Sequence, residues 1–305
     1  MDQYILNLIE NHPKTKDCFD MDIVLESGAA NGSYHIGCLT YISLLEKKNI
    51  VKVNRISGSS VGAIAGLYYF INSLQNFKDD YIKLRNCFKQ NQNYSILKKI
   101  LEDRIKHLTD KDMEKLNNKL FVVFHDVEKK KQIIKSTFNN KEEIVSSLLK
   151  SSHLPYIANN KLFYIENDKA YFDGGIPHIF TERGADDNRI IYINISSFNK
   201  LKGLFCTNKE INNYGRMLEG ALDAHEFFLY ERNSKFCSYV NKWKLSDFTI
   251  LRLKQLIFKL LFYFFVIINY MAQKIFPCVS EYYLFQTISP VVGGFYKDFL
   301  LFYCI

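Results

Sequence analysis

Ile56-Ser57-Gly58-Ser59-Ser60-Val61-Gly62 is the stretch whose reading decides the fold. The pentapeptide from Gly58 through Ser60 to Gly62 lies between a β-branched run, Val51 to Ile56, and an apolar helical pattern, Val61 to about Phe70. In that setting Ser60 is a candidate nucleophile on a tight strand-to-helix turn. Gly58 and Gly62 leave room for the crowded backbone, and the hydroxyl projects above the sheet edge. The amino end of the following helix favours negative charge developing there. The same five residues also fit an ordinary Gly/Ser turn before a buried helix, so the neighbouring stretches must decide.

Upstream, Asp22 to Glu26 reads as a buried strand. It runs into a loop of small residues, Ser27-Gly28-Ala29-Ala30-Asn31-Gly32, and then into a helix through Tyr34, Ile36, Leu39, Ile42 and Leu45. Two strands joined by a crossover helix lie parallel, with their carboxyl ends on one edge. Adjacent strands are about 4.8 Å apart, which makes the small-residue loop a neighbour of Ser60. Its amides around Gly28 and Ala29 are placed to donate to an oxyanion formed on attack by Ser60. A nucleotide loop is disfavoured, because the G-x-G-x-x-G glycines are mostly missing.

Downstream, residues 72–118 are helical, polar and rich in Lys and Asn, and are expected to lie outside the catalytic unit. Phe121 to His125 resumes as a strand that Gln132 to Thr137 can pair with, and Lys141 to Leu149 forms a helix. Leu162 to Ile165 and Lys169 to Phe172 read as a hairpin delivering Asp173-Gly174-Gly175. An aspartate leaving a strand ahead of two glycines is either a common Asp-Gly turn or a base held in a fixed pose, with backbone donors keeping it ionised.

Composition narrows the class. The chain has 305 residues and a net charge of +8, with lysines spread along it and no nucleic-acid-binding motif. Seven scattered cysteines without a C-x-x-C pair point to reduced thiols facing the cytosol, with no disulfide framework and no zinc site. The start, Met1-Asp2-Gln3-Tyr4, lacks the basic-then-apolar pattern of a signal peptide, so secretion by that route is not expected. No calcium-type loop is present, and no metal or other cofactor is expected.

Taken in order, the Gly-rich loop ending at Gly32 with Tyr34-His35-Ile36-Gly37 behind it, then Gly58-Ser59-Ser60-Val61-Gly62, Ser152-His153-Leu154-Pro155 and Asp173-Gly174-Gly175 resemble the patatin-like phospholipases. The match runs over about residues 21–198. It implies a three-layer α/β/α fold with a mainly parallel sheet, and hydrolysis of fatty-acyl esters in membrane lipids without a histidine. By this resemblance Ser60 is the nucleophile, Asp173 the base, and Gly28 and Ala29 belong to the oxyanion loop. Ser27 and Ala29 stand where the family loop usually has glycine, and Asn31 where it usually has arginine or lysine. Two other readings accompany it. One is an inactive patatin-like protein that binds lipid or a partner. The other is a Ser60-Asp173-His225 esterase, although His225 shares a helical face with Leu218, Leu222 and Leu229. His35 and His153 are read as structural.

The expected organisation is an N-terminal segment (1–20), a catalytic domain (21–205), a helical extension packing on it (206–245), a membrane-associated or transmembrane helix (251–273) and an apolar aromatic tail (274–305). Residues 256–272 approach the roughly 20 apolar residues of a span, interrupted by Lys259 and Asn269. A spanning helix, an in-plane helix and a buried helix stay open. With Lys242, Lys244, Arg252 and Lys254 before it, a spanning helix would leave the catalytic domain in the cytoplasm.

Overall fold

The computed structural model describes residues 2–10, 18–180, 189–197 and 212–274. In chain order the elements are α1 (Asp2–Glu10), β1 (Phe19–Leu25), α2 (Gly32–Lys47), β2 (Val51–Ser59), α3 (Val61–Phe70), α4 (Phe77–Asn91), α5 (Leu97–Ile105) and α6 (Asp110–Leu116). They continue as β3 (Leu120–Asp126), β4 (Lys131–Lys135), α7 (Lys141–Ser151), β5 (Tyr164–Glu166), β6 (Lys169–Phe172), β7 (Arg189–Ile193), α8 (Tyr214–Tyr230), β8 (Cys237–Tyr239) and α9 (Leu245–Lys274).

The strands form one sheet in the order β5-β6-β3-β2-β1-β7-β8, with β4 also paired to β3. Its centre, β3-β2-β1-β7, is parallel, with Leu25 opposite Gly58 on one side and Ile193 on the other. Antiparallel strands finish both ends. Because side chains alternate along a strand, β1 feeds two layers. Met21, Ile23 and Leu25 join the main core with α2, α3 and α8, while Val24 faces the other way, with Tyr192, Ile176, Phe180 and Leu251. Leu251 belongs to α9, so that helix forms the third layer of the α/β/α fold.

Helix α9 departs from one of the sequence expectations. No helix among the described residues is long and apolar enough to cross a membrane. Polar residues Arg252, Lys254, Gln255 and Lys259 break its apolar character, and one face is used on the protein. Leu251 and Phe262 are buried on that face. Lys254 reaches Glu26, which is 1% exposed, at 2.7 Å. The tail at 275–305 and the first part of the 206–245 extension lie outside the described residues. The rest of that extension contains α8, which packs on the main core, and β8, which pairs with β7.

Helix α8 sits directly on α2. A Cβ added at Gly37 would lie 1.8 Å from the Met217 carbonyl oxygen, and one at Gly220 would lie 2.2 Å from that of Tyr34. The two backbones touch there. Gly220→Ala is expected to destabilise the protein by roughly 1–3 kcal/mol through overpacking. Gly215→Ala, on the same helix with nothing within 4 Å, is expected to be neutral or to stabilise by up to about 1 kcal/mol. Thermal melts of the two variants give the comparison, and equal shifts would contradict the close approach.

Candidate active site

Strand β2 ends at Ser59 and α3 begins at Val61, which leaves Ser60 to make the turn alone. Its backbone is held at φ 54 and ψ −126, a conformation costing a non-glycine residue on the order of 1–3 kcal/mol. The surroundings enforce it. The Ser60 N–H donates to Ser151 Oγ at 2.9 Å, and that hydroxyl donates to the Val123 carbonyl at 2.6 Å. Gly58 and Gly62 allow the contact: a Cβ on Gly58 would fall 2.4 Å from Ala63 N, and one on Gly62 would fall 2.5 Å from the Leu25 carbonyl.

Asp173 follows β6, whose Phe172 pairs with His125 of β3. Three bonds fix the turn. His125 Nδ1 donates to the Asp173 carbonyl at 3.0 Å, Gly174 N–H donates to the Ser151 carbonyl at 3.2 Å, and Gly175 N–H donates to Asp173 Oδ1 at 2.7 Å. Ser151 therefore ties the serine elbow to the aspartate turn. The Ser60 hydroxyl lies close enough to the carboxylate to favour its charged form, but Asp173 Oδ2 is buried with no partner in full hydrogen-bond geometry. A loose contact of this kind is common before substrate tightens the site. Backbone donation does not keep the group at its ordinary acidity, contrary to the sequence expectation. Burial outweighs the Gly175 bond and the Ser60 contact and raises the Asp173 pKa to about 7.

The small-residue loop becomes a single 3-10 turn, Ala29–Asn31, whose opening amides at Ala29 and Ala30 have no acceptor within the turn. Ala29 and Ala30 line the same cleft as Ser60, whereas Gly28 packs just behind, with Ile195 Cδ1 2.6 Å from where a Cβ would be. Ala29 is held at φ 43, in the left-handed region that favours glycine. Ser27 Oγ donates to the Gly175 carbonyl at 2.5 Å, joining the loop to the aspartate turn. Asn31 is fully buried. Its Nδ2 donates to the Ile195 carbonyl at 2.9 Å, and its Oδ1 accepts from Arg216 of α8 at 2.6 Å. A cation thus reaches the loop from a helix 185 residues away in sequence.

The cleft above Ser60 has a volume of about 950 Å³ including its open mouth. Its walls come from α3 (Ile64, Tyr68), α4 (Phe77, Leu84, Phe88) and α5 (Leu97, Ile100). The 72–118 region, expected outside the catalytic unit, therefore builds the wall of its cleft. Asp80 also lines it, but its carboxylate is turned into Arg104 at 2.6 and 2.7 Å and into the Tyr68 hydroxyl at 2.7 Å.

Three further histidines serve packing contacts. His225 joins α8 to α2 through the Tyr41 hydroxyl, 2.9 Å from Nδ1. His35 Nε2 bonds the Glu26 carbonyl at 2.7 Å, and burial lowers its pKa to about 4. Burial does the same to His153, also to about 4, beside the Lys161 carbonyl. Among the described residues no three His, Cys, Asp or Glu side chains are grouped to hold a metal ion.

An α/β/α sheet presenting a strained serine under an apolar cleft is the architecture of a serine hydrolase. The sequence model of the patatin-like phospholipases matches residues 23–178, from β1 past Asp173 and over more than half of the chain, and the protein belongs to that family of lipid acyl hydrolases. No curated protein matches the chain. Among solved structures, VipD from Legionella pneumophila matches at 16% identity and a TM-score of 0.36, over 56% of this chain and 49% of VipD. The chain spans about half the length of that structure.

Two outcomes follow from the geometry. A carboxyl with a raised folded pKa stabilises the protein below its unfolded pKa and loses that contribution as pH rises through the folded value. Asp173→Asn should therefore match wild type in melting temperature near pH 4 and exceed it increasingly up to about pH 7. A constant gap would contradict the burial. Arg216→Ala should slow labelling of Ser60 by a fluorophosphonate about tenfold or more, since a single oxyanion donor is worth roughly 10²–10³. Unchanged labelling would show that Asn31 holds the loop unaided.

Proposed function

We propose that the protein hydrolyses fatty-acyl esters of phospholipids or glycerolipids at a membrane, through a Ser60–Asp173 dyad and an acyl-enzyme. The observation that carries this reading is Ser60 at the base of an apolar cleft, with Asp173 at its side. Asp173 accepts the Ser60 hydroxyl proton as Oγ bonds to the acyl carbon, and the oxyanion is held by the amides of the loop and of Val61 at the start of α3. The proton passes from Asp173 to the departing alcohol. Asp173 then takes a proton from water, which attacks the acyl carbon and frees the acid, with the proton returning to Ser60.

The cleft is the site for the acyl chain. Its walls are mostly aliphatic and aromatic, with Arg85 among them, and the carboxylate of Asp80 is already neutralised by Arg104. Membrane association is supported by the outer face of α9, where Leu256, Leu260, Phe264 and Ile267 are each more than half exposed. The free thiols Cys18, Cys38, Cys87 and Cys237 support a catalytic domain on the cytoplasmic side.

The test is hydrolysis of micellar long-chain lipid. Activity should vanish in Ser60→Ala and fall by at least 10² in Asp173→Asn. The acid limb of kcat/KM should lie near pH 7, because the base must be ionised. Leu84→Trp, which narrows the cleft, should remove long-chain activity while keeping short-chain ester hydrolysis. Failure of a fluorophosphonate to label Ser60 would sink the enzymatic reading.

A further inference from the structure

A second cleft, of about 1110 Å³, opens between the β3–β4 hairpin and α9, on the other side of the Asp173 turn from the acyl cleft. Its lining includes Lys130 and Lys131 from the hairpin and Arg252 and Lys259 from α9, with His125 and Gly174 at its floor. No carboxylate lines it. Among the described residues none of the four cations is in an ion pair. The neighbouring acid Asp126 is answered by Lys129 at 4.0 Å, and Arg252 bonds only the neutral Gln255, at 2.9 Å. Four unneutralised cations around one opening make a surface that attracts anions.

Helix periodicity places this charge. At about 100° per residue, Leu251, Lys254, Phe258 and Phe262 point at the protein. Arg252, Lys259 and Tyr263 lie on the next sector and line the cleft. Leu253, Leu256, Leu260, Phe264 and Ile267 form the sector beyond, and all of them are exposed. The cations therefore lie along the border between the protein-facing side and the bare apolar side of one helix. That is the order of layers met by a helix resting in a bilayer interface, with the apolar side among acyl chains and the charges at the phosphates.

We propose that the cationic cleft and the outer face of α9 together form a docking surface for an anionic phospholipid bilayer. The Lys130–Lys131 hairpin and the Arg252–Lys259 flank take the headgroup phosphates, while the apolar sector enters the lipid. This rests on the proposed action at a membrane and specifies the charge of that membrane. The surface is anchored next to the chemistry: Lys254 bonds Glu26, the residue before the small-residue loop, and the Phe258 ring lies against Gly175.

The experiment is vesicle flotation of the full chain carrying Ser60→Ala, so that binding is read without hydrolysis. Strong binding to equimolar phosphatidylcholine and phosphatidylglycerol is expected, with weak binding to phosphatidylcholine alone and a decline as salt rises. Lys130→Gln with Lys131→Gln, and separately Arg252→Gln with Lys259→Gln, should each lower partitioning roughly 10–30-fold. All four positions are exposed, so unchanged melting curves check the fold. Leu256→Asp with Leu260→Asp should abolish binding to both vesicles. Equal binding to neutral and anionic vesicles, insensitivity to the glutamine variants, or self-association through α9 in place of binding would overturn the proposal. Fluorophosphonate labelling of the wild type is scored separately: labelling without anionic preference removes the docking surface alone, and anionic preference without labelling removes the hydrolase reading alone.

Discussion

The candidate active centre depends on one unfavourable backbone conformation, that of Ser60. A serine at φ 54 does not stay there of its own accord, and the strain has to be met by packing that no other conformation satisfies as well. Here β2 and α3 are both committed to the core on either side of the residue, with Ile56, Ala63 and Leu67 fully buried. The turn between them has no slack. The Ser60 amide, turned inward by this conformation, finds the one hydroxyl, that of Ser151, which is itself held by Val123. The Ser60 side chain is left pointing into the cleft as a consequence.

The same logic extends through Ser151 to the rest of the site. Its hydroxyl serves the elbow and its carbonyl serves Gly174, so Ser60 and the Asp173 turn are referenced to one residue at the end of α7. Ser27 then ties the small-residue loop to the Asp173 turn, and Arg216 ties it through Asn31 to α8. Three segments of the candidate site, far apart in sequence, are thus located by hydrogen bonds through Ser151 and Ser27. That is the arrangement needed to hold reacting groups within a fraction of an ångström.

What could be read in the sequence follows from which of these forces are local. The β1-α2-β2-α3 unit was legible because buried parallel strands are apolar runs, as in Ile23-Val24-Leu25, and because Gly58 and Gly62 mark a turn that no larger residue fits. The hairpin before Asp173 was legible for the same reason. The wall of the cleft above Ser60 was not. Phe77, Tyr81, Leu84 and Phe88 are spaced like any amphipathic helix, and periodicity reports that a face is buried without saying against what. Helix α9 was misread as a possible span because hydropathy averages over all its faces. Its inward face is used on the sheet, and its anchoring pair, Lys254 with Glu26, joins residues 228 positions apart. Ser151 and Arg216 act on Ser60 and Asn31 across 91 and 185 positions, and no local pattern announces them.

Asp173 shows how the demands of folding and chemistry diverge at this site. A carboxylate buried behind Gly174 and Gly175 would be more comfortable protonated, and its raised pKa is the measure of that preference. A more solvated aspartate would favour the fold at neutral pH, but it would be a weaker base, because a proton acceptor works best when its pKa lies near the working pH. Burial provides that match without a histidine, which explains how His225 can serve in the α2–α8 contact. The proposed dyad therefore does not call for a third member. In that reading, desolvation of one carboxylate sets the basicity that an imidazole would otherwise supply, and the strained elbow keeps the hydroxyl beside it.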